Sequence, residues 1–257
     1  MNLNYENILL PLLLTLLTGL TTGIGSIIAH FTKSPKYKYL GFALGCSAGG
    51  ILGVTMIEVL NKIMTLTGPY IANFTFISGM IFSLLLTFVF RQERIEKGIA
   101  DLDMRILGRD VVTAIGLVVH NIPDGLMVFL ATHLSVETGI LVAVAVALHN
   151  IPQGFSLSIS TFYITQDTKR AFFYSFFSGL IEPLSALLAA LISMPFLSDL
   201  SLHLVLAFVS GIMIYVSLGE LIPFAHKYGE GRSIFLGIIS GMSIMIFSLT
   251  IVHILWG

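Results

Sequence analysis

Eight stretches of this chain run for more than twenty residues each with no more than two charged side chains apiece. They fall at roughly 8–30, 39–61, 70–90, 110–132, 137–162, 170–194, 201–224 and 233–255. A helix rises about 1.5 Å per residue, so about 20 residues cross a hydrocarbon core roughly 30 Å thick. In that solvent backbone polar groups must be bonded within their own segment or around a closed barrel, and for runs of this length only the helix serves. The fold class expected is therefore all-α integral membrane, with eight transmembrane helices forming one polytopic domain over 1–257 and no soluble domain left over. A water-facing shell is excluded, because only 11% of the residues are charged while mean hydropathy is +0.95. The first run has no basic flank before it and no small-residue cleavage site after it, so a permanent helix is expected there rather than a removed signal. Cys46, the one cysteine, excludes an intrachain disulfide and reads as a small core residue.

The basic residues orient the array. Lys33, Lys36 and Lys38 follow the first run, and Arg91, Arg94, Lys97, Arg105 and Arg109 follow the third. Lys169 and Arg170 follow the fifth, and Lys227 and Arg232 the seventh, so that Lys62 is the only basic residue opposite. The positive-inside rule makes the crowded side cytoplasmic and sends both termini outward.

Two internal repeats are visible. His120-Asn121-Ile122-Pro123-Asp124-Gly125 in the fourth run is echoed by His149-Asn150-Ile151-Pro152-Gln153-Gly154 in the fifth. Ile77-Ser78-Gly79-Met80 in the third is echoed by Ile239-Ser240-Gly241-Met242 in the eighth, and Glu58 precedes Gly79 by the distance at which Glu220 precedes Gly241. Runs two and seven are an odd number of spans apart, as are four and five, so both repeats are inverted in the membrane. Inverted repeats with proline-interrupted helices near the midplane are the pattern of a transporter with its site at the repeat interface.

The residues that carry chemistry lie at that depth. His120 and His149 sit about ten and twelve residues into their runs, Glu182 about twelve into the sixth. Asp124 and Gln153 follow the histidines at i+4, on the same helix face, with Asn121 and Asn150 alongside. Each charge there costs roughly 2.5–3.5 kcal/mol to insert, so it must face a partner, a cavity or an ion. Imidazole with carboxylate and amide oxygens is a donor set for borderline divalent ions such as zinc, iron, cobalt or manganese. Pro123, Pro152 and Pro183 add to the polarity by freeing the carbonyls of Val119, Leu148 and Gly179. Glu58 is expected near the outer mouth, Glu220 and His226 near the inner one, as relay points of a pathway. His30, His133, His203 and His253 fall near helix ends and read as interface residues.

The two His-Asn-x-Pro motifs, with Gly179-Leu180-Ile181-Glu182-Pro183 in the sixth run, resemble the ZIP family of metal transporters. The short chain, the outward termini and Glu220-Leu221-Ile222-Pro223 resemble its bacterial ZupT-type members. The resemblance covers the whole chain. It implies a 3+2+3 helix arrangement, a bacterial inner-membrane location, a homodimer, and uptake of zinc, with iron, manganese, cobalt or cadmium as further ions. Carried over, one metal takes His120, Asp124, His149 and Gln153, and a second takes Asn121, Asp124, Asn150, Gln153 and Glu182. Two departures stand out. Gln153 occupies a position where the family usually has a bridging Glu, and Asp124 one where Glu is commoner, which points to a weak second site. The stretch from Arg91 to Asp110 has no histidine, so loop-based metal sensing is not supported.

Neither a resident prosthetic group nor nucleic-acid binding is expected. An intramembrane metalloenzyme is the first alternative, but no His-Glu-x-x-His occurs. A haem carrier with His120 and His149 as axial ligands is the second, and a cation channel the third.

Overall fold

The computed structural model describes residues 6–31, 37–97, 121–193, 198–226 and 229–256, and among them every regular element is a helix. Helix α1 is Glu6–Phe31, and α2 (Tyr37–Gly53) runs through a wide π-helical turn, Val54–Val59, into α3 (Leu60–Thr67). Helix α4 is Pro69–Lys97, α5 covers residues 121–134, and α6 is Val136–Thr165. Helix α7 (Thr168–Gly179) is followed by α8 (Ile181–Leu188), which ends in a second π turn, Ala189–Ser193. Helix α9 (Asp199–Tyr215) passes through a third, Val216–Leu221, into α10 (Ile222–Ala225), and α11 is Gly231–Trp256.

Seven of these rods are long and apolar enough to cross a membrane: Ile8–Phe31, Gly41–Thr67, Pro69–Phe88, Val136–Ile159, Thr168–Leu191, Asp199–Ala225 and Gly231–Val252. The run expected at 110–132 is described only from Asn121 onward, where it is helical to residue 134. Of the basic residues used to orient the array, Lys33, Lys36, Arg105, Arg109 and Lys227 lie outside the described residues.

Turn chemistry sets the breaks. Gly68 closes α3 with φ 87°, its N–H bonded to the Met64 carbonyl at 3.0 Å, and Pro69 then opens α4 where no donor is needed. Ser135 caps α6, accepting from the Thr138 amide at 3.1 Å, and Asp167 caps α7, accepting from the Lys169 and Arg170 amides. The apolar span of α4 ends at Phe88, close to the expected residue 90, and the helix itself continues to Lys97, because Gln92, Glu93, Arg94, Glu96 and Lys97 are good helix formers with Glu93 and Lys97 at i, i+4. The sixth run, read as one helix over 170–194, is broken at Leu180, three residues before Pro183. Helix α6 by contrast runs on through Pro152.

The rods pack in two groups. Helices α1, α6, α7 and α8 form one; α2, α3, α4, α9, α10 and α11 form the other, with α6 touching α2 and α11 between them. Lipid tails are as apolar as leucine, so close backbone approach over small residues has to hold such helices together. A Cβ on Gly49 would run into the Ile238 carbonyl and one on Gly211 into that of Phe76, and a Cβ on Gly79 or Gly241 would strike the Phe208 or Cys46 carbonyl. These are equivalent positions: within each pair of contacts, both glycines and both carbonyls are separated by the same number of residues as Glu58 and Glu220. The π turns at Val54–Val59 and Val216–Leu221 obey the same spacing, each holding its glutamate one residue from the end. The repeat seen in the sequence is thus a repeat of contacts, α2 on α11 and α4 on α9. The outward faces are apolar, with Phe74 and Phe247 among the exposed side chains, as a lipid-facing surface requires.

Adding a methyl at these crossings should separate the helices. Gly79→Ala and Gly241→Ala are each expected to destabilise the detergent-solubilised protein by about 1–3 kcal/mol. Gly231→Ala, where a Cβ meets nothing within 4 Å, should leave the thermal unfolding midpoint unchanged.

Candidate metal centre

Asn121, Asp124, His149, Asn150 and Glu182 are fully buried and Gln153 half-buried, on α5, α6 and α8. Gly125 lets α5 lie against α8: a Cβ there would strike the Glu182 carbonyl and the Ser185 hydroxyl. Ser185 joins the same helices, donating to the Ile122 carbonyl at 3.3 Å. His120 lies outside the described residues.

The side chains divide by what their atoms do. His149 Nε2 lies 3.2 Å from Asp124 Oδ2. Asn121 donates from Nδ2 to the Ser178 carbonyl at 2.6 Å, beside the break at Leu180, and its Oδ1 accepts from Gln153 Nε2 at 2.9 Å. Glu182 Oε1 accepts from Asn150 Nδ2 at 2.7 Å and Oε2 from Thr18 Oγ1 at 2.8 Å. Of the oxygens of these side chains, Oδ1 of Asp124, Oδ1 of Asn150 and Oε1 of Gln153 receive no donor among the described residues, and Oδ2 of Asp124 faces the His149 imidazole. Buried acceptors are almost always bonded, and a group of orphaned oxygens beside an imidazole has the chemistry of a cation site. Among the described residues no three His, Cys, Asp or Glu side chains gather to hold a metal, so amide oxygens must complete any such set there.

The expected pathway residues are not part of this cluster. Glu58, in its π turn, accepts from Thr138 Oγ1 at 3.1 Å and lies 4.0 Å from Lys62 Nζ. Lys62 also donates to Ser135 and Thr138, both at 2.8 Å, and so ties α3 to the start of α6. Glu220 accepts from Thr87 Oγ1 at 3.0 Å. His226 is exposed, with Nδ1 2.8 Å from the Ile222 carbonyl.

Thr18 was not among the residues singled out from the sequence. Its signal was there: Thr15, Thr18, Thr22 and Ser26 recur at spacings of three or four, a hydroxyl stripe along one face of an otherwise apolar helix, and all four are buried. Ser175, which accepts from Ser26 Oγ at 2.6 Å and donates to the Gly154 carbonyl at 2.8 Å, extends the stripe to α7.

The profile of the family described as ZIP Zinc transporter matches residues 90–249, which include α5, α6 and α8. The zinc transporter ZupT of Oceanobacillus iheyensis is 41% identical, over 95% of this chain and 98% of that protein. This chain belongs to the ZIP zinc transporter family. The ZupT proteins of Clostridium perfringens, 40% identical over 96% of this chain and 97% of that one, and of Streptococcus mutans, 35% identical over 95% and 98%, agree. As a member of the ZIP family the chain is a multi-pass membrane protein of a transporter family rather than an enzyme, which removes the intramembrane metalloenzyme from consideration.

Asn121 ties α5 to α7 and α6, since it holds both the Ser178 carbonyl and the Gln153 amide. Asn121→Ala should lower stability by about 1–3 kcal/mol even in metal-free buffer, through the two buried polar groups left without it. Chemical or thermal unfolding of the purified protein with chelator present reads this directly.

Proposed function

We propose that this chain carries divalent transition-metal ions, zinc first, into the cell across the bacterial plasma membrane. The observation that carries the reading is the group of buried oxygens on Asp124, Asn150 and Gln153 that lack a donor among the described residues, beside His149. The relatives named as zinc transporters support the choice of ion. Iron, manganese, cobalt and cadmium fit the same nitrogen and oxygen donors.

In this reading His120, Asp124, His149 and Gln153 hold one ion, and Asn121, Asp124, Asn150, Gln153 and Glu182 form a second, weaker site. The physical logic is charge balance. Asp124 and Glu182 are two carboxylates buried away from bulk solvent, and a dication beside them replaces the hydration that both they and the ion give up. Neutral Gln153 contributes an oxygen without a third negative charge, so the ion is held loosely enough to leave. The single domain spans the chain with eight helices in a 3+2+3 inverted-repeat arrangement, both termini extracytoplasmic, and it pairs as a homodimer. Glu58 then stands at the outer side, and Glu220 and His226 at the inner, as points where an ion exchanges its shell. The equivalent π turns that hold the two glutamates support that pairing of roles, since such turns recur at functional sites.

Zinc uptake into proteoliposomes tests the reading. Wild-type protein should show saturable uptake competed by cadmium or manganese, and His120→Ala or His149→Ala should reduce it by at least about tenfold, the loss expected for one metal ligand. Metal bound without any uptake would defeat the transport reading. Gln153→Glu is expected to raise the number of zinc ions retained per chain in elemental analysis. An unchanged ratio would count against a second site weakened by the amide.

A further inference from the structure

We infer that Thr18 of helix α1 is a positioning residue of the metal site, fixing the Asn150 amide and the Glu182 carboxylate so that oxygen rather than nitrogen is presented to the ion. The inference rests on the proposed metal site and adds a helix that the His-Asn-x-Pro motifs do not contain.

Three side chains form a closed ring. Thr18 Oγ1 donates to Glu182 Oε2 at 2.8 Å, Glu182 Oε1 accepts from Asn150 Nδ2 at 2.7 Å, and the same nitrogen donates to the Thr18 carbonyl at 2.8 Å. All three residues are buried, Thr18 at 2% exposure and the others at 0%. The Thr18 hydroxyl has one proton and two acceptors in reach, the Thr15 carbonyl at 2.9 Å being the other, and the carboxylate is the stronger of them when ionised. Asn150 offers two N–H groups, and the two acceptors of the ring take both. Turned over, its oxygen would face the Thr18 carbonyl and the Glu182 carboxylate, a buried contact of oxygen on oxygen. The ring therefore locks the amide, and Oδ1 is the one of its polar atoms left without a partner among the described residues. An amide nitrogen cannot ligate a zinc ion, so a locked orientation raises the share of molecules ready to bind. Glycines bring the helices close enough for this: α1 meets α7 at Gly19 and Gly179, and α6 at Gly25 and Gly154.

Thr18→Val keeps the shape of the side chain and removes the proton; Thr18→Ser keeps the proton. In proteoliposomes Thr18→Val should raise the KM for zinc about tenfold, the scale of one hydrogen bond to a charged group, with Vmax within about twofold of wild type. Thr18→Ser should restore the wild-type KM. The zinc dissociation constant of the purified protein, measured by calorimetry, should move with KM, and that reading stands whether or not the protein proves to transport. Wild-type protein that binds zinc without moving it would defeat the transport reading while leaving this inference to be decided by binding alone. An unchanged dissociation constant in Thr18→Val, a Vmax loss at constant KM, or a Thr18→Ser as impaired as Thr18→Val would each overturn the inference. Should Thr18→Val not fold, Thr18→Ala removes the same donor without adding bulk and is read by the same measurements.

Discussion

Two carboxylates, Asp124 and Glu182, buried at 0% exposure within a membrane-spanning bundle, are the constraint on which the rest of the structure turns. Lipid cannot solvate them, and the protein answers each differently. Glu182 is surrounded by protein donors, Thr18 and Asn150, while Asp124 faces the His149 imidazole at 3.2 Å through one oxygen and keeps the other without a donor among the described residues. The broken α7–α8 rod belongs to the same solution, since the Ser178 carbonyl near the break is taken up by Asn121.

Holding such a polar cluster in place requires helices that meet closely, and glycine supplies that closeness. Gly125 brings α5 onto α8, Gly19 and Gly179 bring α1 onto α7, and Gly25 and Gly154 bring α1 onto α6. A polar network of this kind stays ordered only if its walls do not drift by a fraction of an ångström, because hydrogen bonds weaken steeply once their distance and angle are lost. Backbone packed on backbone is stiffer than leucine packed on leucine, and the polar network depends on that stiffness.

The helical class, seven of the spans and the family were readable in the sequence, because long apolar runs and a doubled His-Asn-x-Pro motif are local signals. Which atom of each side chain is committed was not readable. That depends on contacts between residues far apart, such as Asn150 with Thr18 across 132 positions and Glu182 with Thr18 across 164. The continuation of α4 beyond its apolar span, which ends at Phe88, is a matter of helix propensity, since Glu93, Arg94 and Lys97 favour helix outside the hydrocarbon as well. The break at Leu180 could be traced to Pro183, yet Pro152 sits in unbroken α6, so proline alone does not say where a rod will part. His120, the first residue of the doubled motif, lies outside the described residues and keeps the standing the sequence gives it.

The π turns have a consequence for how this chain can change over generations. A π turn contains one residue more than the α-helical turn it replaces. Deleting Leu218 would let the ladder close as an ordinary helix while the rods on either side keep their relative facing, because the wide turn takes up its extra residue within itself. What would be lost is the widened turn, and with it the local setting that places Glu220 beside Thr87. The same holds for a deletion at Met56 and the place of Glu58 beside Thr138. A residue gained or lost elsewhere in these rods would instead turn everything beyond it by about 100°, so the two wide turns are the places along the rods where descendants of this chain can change in count as well as in spelling.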